Sequence, residues 1–288
     1  MRNIKEDHHV TVHSGRSRRT YEHDTVHPEP VEGFTKLILI LLLSLLAVSQ
    51  VQASDSKREA DVAETINKTL SFGKQVWLEA GPTKFLALYA ETEKPASNGT
   101  VILLHDLGGH PDQQAVIYQI RRLLPAYNWA TLSLQLPLRE LGAGAEDYYP
   151  LFPDALARLQ AGIKYAQDNG AKNIAVVGYG LGALQAVYAQ SEQPADIKAI
   201  VAISLPVPET NSKTAQTIAF IKNIKIPVLD VYGALDLPDV TESARDRRLA
   251  TKENTAYRQL AINDEGHQYL HDEGLLGKRV VSWLAKVK

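Results

Sequence analysis

From Thr100 onward the chain alternates short apolar runs with amphipathic stretches, and that alternation limits its fold more than any other feature. The runs TVILLH (100–105), WATLSL (129–134), NIAVVG (173–178), IKAIVAIS (197–204), IPVLDVYG (226–233) and AYRQLAI (256–262) read as strands. Their near-continuous hydrophobicity is that of strands covered on both faces. Between them, 113–124, 154–168, 181–190, 215–222 and 240–252 read as helices, and 270–286 closes the chain as another. Ahead of this series, 75–80 and 84–92 flank a Gly81-Pro82 turn as a hairpin, and 54–70 carries a helical stripe at Ala60, Ala63, Ile66 and Leu70. Alternating strand–helix units build a mostly parallel sheet, here of about eight strands, with helices on both faces. Binding crevices in such sheets lie at the carboxyl ends of the strands, so function belongs in the loops that follow them.

A chain of 288 residues, 44% hydrophobic and 22% charged, suits one large α/β domain. The formal net charge of −2 gives no global attraction to nucleic acid or anionic membranes. The absence of cysteine excludes disulfides, thiolate metal sites and a cysteine nucleophile.

The N-terminal region divides into three parts. Residues 1–35 hold His8, His9, His13, His23 and His27 and little apolar content. They read as a disordered leader or a mis-called start, with a His-rich metal tract as the functional alternative. Residues 36–53 have the form of a signal peptide: Lys36, the run LILILLLSLLAV (37–48), then small residues at Val51 and Ala53. The run is shorter than the roughly 20 residues that span a bilayer, so the expectation is cleavage near Ala53, a periplasmic or secreted location and no retained membrane span. Residues 54–74 form a helical segment whose 57–68 charges read as a solvated face, and 75–288 form the main domain.

Three strand-end loops carry the candidate chemistry. His105-Asp106-Leu107-Gly108-Gly109-His110-Pro111-Asp112 follows the first buried strand. Gly178-Tyr179-Gly180-Leu181-Gly182-Ala183 joins a strand directly to a helix. Asp236 and His267 follow the last two strands. This arrangement resembles the α/β-hydrolase superfamily over about residues 75–288. The leader, HDLGGHPD and LSLQLP are similar to an uncharacterised family of exported bacterial hydrolase-like proteins. The resemblance implies a nucleophile elbow at 178–182, with acid and histidine following in chain order at Asp236 and His267. It also implies an oxyanion or ligand site formed by backbone N–H groups of Asp106, Leu107 and Leu181, on a loop opened by His105, with Asp106 in place of the usual glycine.

The departure is Gly180, which stands where the nucleophilic serine is expected and has no attacking atom. Ser133 and Ser204 end neighbouring strands as displaced candidates, although a hydroxyl that caps its own strand is the plainer reading. A His267–Asp236 pair could still act as a general base. Two functions therefore stay open: an enzyme acting on a small carbonyl or ester compound without ordinary serine chemistry, and a non-catalytic pseudo-hydrolase that binds a small molecule or a protein.

Other readings are weaker. Gly178-x-Gly180-x-x-Ala183 matches a dinucleotide fingerprint, but the next strand ends at Ser204-Leu205-Pro206 without the ribose-binding acid. His105, Asp106, His110 and Asp112 are metal-ligand types on a loose Gly-Gly loop, with Asp112 better placed as a helix N-cap. No cofactor or metal is expected. Tyr148, Tyr149 and Phe152 read as local core rather than a lid. Asp264 and Glu265 read as a solvated turn, and His271 and Asp272 as the exposed face of the last helix.

Overall fold

The computed structural model describes residues 54–93 and 97–287. The leader and signal-peptide assignments fall on residues outside this range.

Helix α1 (Ser56–Thr69) starts at Asp55, whose Oδ1 accepts a hydrogen bond from the Arg58 N–H, and packs Ala63 and Ile66 on Leu86 and Leu88. The hairpin β1 (Lys74–Ala80) and β2 (Thr83–Ala90) follows, then β3 (Gly99–Leu104), α2 (Val116–Leu123) and β4 (Trp129–Leu134). The short α3 (Ala145–Tyr148) leads into α4 (Phe152–Asp168), β5 (Ile174–Tyr179), α5 (Leu181–Glu192), β6 (Ala199–Ile203) and α6 (Thr217–Asn223). The chain closes with β7 (Val228–Leu235), α7 (Pro238–Thr241), α8 (Ala244–Ala250), β8 (Tyr257–Gly266) and α9 (Leu275–Leu284).

The eight strands form one sheet in the order β1-β2-β4-β3-β5-β6-β7-β8. β2 pairs antiparallel with β1 and β4, and every other pairing is parallel. Successive residues of β3 feed opposite faces. Ile102 and Leu104 join the core under α4, α5 and α6, while Val101 and Leu103 join the core under α2 and α9. Each such fully buried leucine or isoleucine contributes about 1.5–3 kcal/mol. This two-sided burial explains why the central strands read as unbroken apolar runs.

Three details differ from the sequence reading. The helix expected over 240–252 is broken into α7 and α8. Helix α2 begins at Val116, so Asp112 does not cap it; its carboxylate instead forms an ion pair with the buried Arg121. The charges of α1 are not all solvated. Glu59 pairs with buried Arg158 at 2.8 Å, and Arg58 donates to the carbonyl oxygens of Gly108 (2.9 Å) and Arg139. Long-range partners thus fix a face that local pattern assigns to water.

Candidate active site

The parallel strands all end at one edge, which brings the loops after β3, β5, β6, β7 and β8 together. Between β5 and α5 there is a single residue, Gly180, at φ 55° and ψ −120°. The turn is tight because its neighbours approach other backbone closely. A Cβ on Gly182 would lie 2.4 Å from the His105 carbonyl oxygen, which leaves room for hydrogen alone. A Cβ on Gly180 would lie 1.9 Å from Asp106 Oδ1 and 2.3 Å from its Cγ. The space into which a side chain at 180 would project is therefore filled by the Asp106 carboxylate.

That carboxylate is held at both oxygens. Oδ1 accepts from the Leu181 N–H at 2.7 Å, at the N-terminus of α5, where the helix dipole favours negative charge. Oδ2 lies 2.9 Å from His267 Nε2. The backbone of Asp106 is also fixed. Its N–H donates to Gln113 Oε1 at 3.1 Å, and its carbonyl accepts from the Gly109 N–H at 3.0 Å. Its N–H, expected to face a ligand, is thus turned inward onto Gln113.

His267 follows β8 and lies between two carboxylates. Its Nδ1 is 2.7 Å from Asp236 Oδ1, opposite the Asp106 contact. Both nitrogens face carboxylate acceptors, so both carry protons and the ring is an imidazolium. Burial pushes the His267 pKa down, but the hydrogen bonds and charges of Asp106 and Asp236 outweigh it and raise it to about 10. Burial conversely pushes Asp236 up, and its bonds with His267, Ser204 and the Leu237 N–H more than reverse this. Tyr179 stacks on the imidazole at 5.1 Å between centroids and donates its hydroxyl to the His267 carbonyl at 2.9 Å.

Ser204 ends β6 at φ 52°, a left-handed conformation that strains a residue with a Cβ. Its hydroxyl lies 2.5 Å from Asp236 Oδ2 and 3.1 Å from the Tyr269 hydroxyl. Ser204 therefore braces the acid and has no bond to His267. Ser133 donates to the Pro111 carbonyl at 2.7 Å, within the core.

The structure thus brings Asp106, Gly180, Leu181, Asp236 and His267 into one centre. Leu107 joins Tyr149, Leu181, Leu237 and Val240 around a cavity of about 100 Å³ beside it. His105 lies behind the loop, fully buried. Its Nε2 accepts from the Leu136 N–H at 3.0 Å, and its Nδ1 donates to the Asp106 carbonyl at 2.8 Å. Burial lowers its pKa to about 3, so the ring is neutral and both nitrogens are engaged. His110 Nδ1 accepts from the Asp112 N–H, and Asp112 is committed to Arg121. Among the described residues no cluster of three His, Asp or Glu side chains has the arrangement of a metal site. Tyr148, Tyr149 and Phe152 are buried in the core under α4 and α5. Glu265 is also buried and accepts from the His271 N–H, while Asp272 accepts from the Leu276 N–H ahead of α9.

Sequence reading placed Asp106 as a backbone donor and missed its side chain. The available signal was a coincidence of two departures: an acid where the loop expects glycine, and glycine where the elbow expects an attacking residue. Arg58, Gln113, Tyr179 and Tyr269 carried no local signal.

The profile of a family described as a protein of unknown function (DUF3530) matches residues 35–148 and 153–286. No curated protein matches the sequence. Among solved structures, Est1E from Butyrivibrio proteoclasticus superposes with a TM-score of 0.61 at 17% identity, over 74% of this chain and 98% of that one. The Pyrococcus furiosus esterase Pf2001 gives 0.61 at 21% identity, over 76% of this chain and 95% of the other. With the sheet order above, these likenesses identify the α/β-hydrolase fold.

Proposed function

The chain belongs to the DUF3530 family of proteins of unknown function, and on that premise we propose that it is an exported hydrolase-fold protein holding a small uncharged ligand beside His267, without serine-hydrolase chemistry. One observation carries this reading. The Asp106 carboxylate fills the space of a side chain at Gly180 while engaging both Leu181 N–H and His267. Serine chemistry requires an attacking hydroxyl, a neutral imidazole to take its proton, and free N–H donors for the oxyanion. Here position 180 has no hydroxyl, His267 is protonated, and two of the three expected donors, the Leu181 and Asp106 N–H groups, are already bonded. The same protonation disfavours His267–Asp236 as a resting-state general base.

The ligand class follows from size and charge. Three carboxyl side chains, Asp106, Asp236 and Asp239, surround a single imidazolium beside the cavity, which disfavours anions. A cavity of about 100 Å³ suits a small molecule. Export rests on the form of residues 36–53.

The test is labelling with a fluorophosphonate serine probe. No labelling of the folded protein is expected, and labelling lost in Ser204→Ala or Ser133→Ala would overturn the reading. For export, the mature periplasmic chain should begin near Ser54; a chain retained in the cytoplasm with residues 1–53 intact would refute it.

A further inference from the structure

We propose that the Asp106 carboxylate is itself a nucleophile, and that the pocket beside it takes a small uncharged molecule whose tetrahedral carbon bears a leaving group, an alkyl halide or an epoxide. This rests on the reading that no serine serves the pocket.

Three features of the geometry point this way. First, Asp106 is fixed more firmly than a passive filler needs to be. Its N–H is held by Gln113 Oε1, its carbonyl by Gly109 N–H and by His105 Nδ1, and its carboxylate by Leu181 and His267. Such bracing removes the reorganisation that a reaction would otherwise require. Second, the carboxylate is not sealed. Its side chain is 16% exposed and lines a largely apolar cavity with Leu107, Tyr149, Leu181 and Asp239. A carboxylate beside such a lining is a competent covalent nucleophile. Third, the occupied donors select the electrophile. Attack at an acyl carbon builds an oxyanion on the substrate, and the Leu181 N–H that would stabilise it is taken by Asp106. Displacement at a tetrahedral carbon builds none.

The steps balance with water as the only co-reactant. A lone pair of Asp106 Oδ2 forms the O–C bond while the C–X bond breaks, and X departs with the electron pair. A halide leaves as the anion. An epoxide oxygen leaves as the alkoxide and takes a proton from water. Asp106 is now a neutral ester, so His267 keeps one carboxylate neighbour instead of two and releases its Nε2 proton to solvent. The neutral imidazole then takes a proton from water as the hydroxide adds to Cγ. Negative charge develops on Oδ1, where Leu181 N–H already stands. Collapse breaks the Cγ–Oδ2 bond, the alkoxide takes the proton from His267, and the Asp106 acid returns its own proton to the imidazole. The net change is RX plus water to ROH plus HX, or epoxide plus water to diol. The pair of bonds that disables serine chemistry thus becomes functional only after Asp106 has reacted.

The test uses bromoethane and propylene oxide. In His267→Gln the ester should persist, adding one ethyl or one hydroxypropyl group to the intact mass, mapped to Asp106 and abolished by adding Asp106→Asn. In the unaltered protein, turnover in heavy-oxygen water should place label in the Asp106 carboxylate, and this measurement decides if His267→Gln does not fold. Reaction with one probe and not the other supports the proposal and identifies the leaving group. An adduct on another residue, no adduct with either probe in folded His267→Gln, or no label at Asp106 in the unaltered protein would overturn it. Failure here without fluorophosphonate labelling sinks the nucleophile alone; fluorophosphonate labelling sinks the underlying reading.

Discussion

Gly180 and Asp106 compete for one volume, and a double-mutant cycle measures that competition. In Gly180→Ser the new Cβ would lie 1.9 Å from Asp106 Oδ1, so the carboxylate must leave its place. A Cβ at φ 55° costs about 1–2 kcal/mol. Displacing the carboxylate from Leu181 N–H and His267 loses charge-assisted hydrogen bonds, each worth about 1.5–3 kcal/mol. The single substitution should therefore destabilise by roughly 4–8 kcal/mol. Asp106→Gly forfeits the same bonds without any clash. In the double variant those two bonds are lost once rather than twice, so the two effects should fall short of additivity by about 3–6 kcal/mol. Urea midpoints for the four proteins give the coupling directly if the slopes agree. Activity provides a second readout. In Gly180→Ser the displaced Asp106 carboxylate still crowds the new hydroxyl, so hydrolysis of a small activated ester should be weaker than in the double variant, which has no carboxylate at position 106. Additivity within about 0.5 kcal/mol would mean that the two positions do not share space, and the reasoning would fail.

Four further expectations follow from the same structure. The His267 ring should stay charged across neutral pH, titrating near 10 by imidazole NMR, and should titrate lower in Asp106→Asn; an unshifted value in the native protein would refute the two-carboxylate clamp. Because that folded value lies above the unfolded 6.5, the clamp's stabilisation is complete below about pH 6.5 and is lost as pH rises through about 10, which melting temperatures at high pH will read. Arg247 and Asp230 form a fully buried pair, Nε to Oδ2 at 2.8 Å, that also receives Tyr257 and Gln259; Arg247→Ala should cost about 3–5 kcal/mol, and Arg247→Ala with Asp230→Asn less, by denaturant melts. Arg58→Ala removes bonds to the Gly108 and Arg139 carbonyls, so amide exchange at Gly108 and Gly109 should quicken with a loss of about 1–3 kcal/mol; unchanged exchange would show that α1 does not hold the loop.

Much of the fold was legible because it is written in local periodicity. The run TVILLH announced β3 because residues buried on both faces must all be apolar, and WATLSL coincides with β4. The junction of β5 and α5 was legible to within one residue: the strand reading stopped at Gly178, and the structure carries it to Tyr179, leaving Gly180 alone between the two elements. The broken helix at 238–250 was not, because the pattern of apolar residues continues across a break that the surrounding contacts impose. The solvated reading of α1 failed for a similar reason. Glu59 meets Arg158 across 99 positions, and no window of local sequence contains both.

The sequence by itself determined the α/β architecture and the glycines at 178, 180 and 182 between a strand and a helix, each a matter of residue type at a local spacing. The reading of that turn as an elbow, with Asp236 and His267 following it, came from the resemblance to the α/β-hydrolase superfamily. Only the tertiary structure decided what fills the space at Gly180. Asp106 reaches Leu181 across 75 positions and His267 across 161, and both contacts depend on the side-chain direction set by the bracing of Gln113, Gly109 and His105. Hydrogen bonds between distant loops leave no periodic trace in a chain; they exist once packing has fixed the strand ends that carry them.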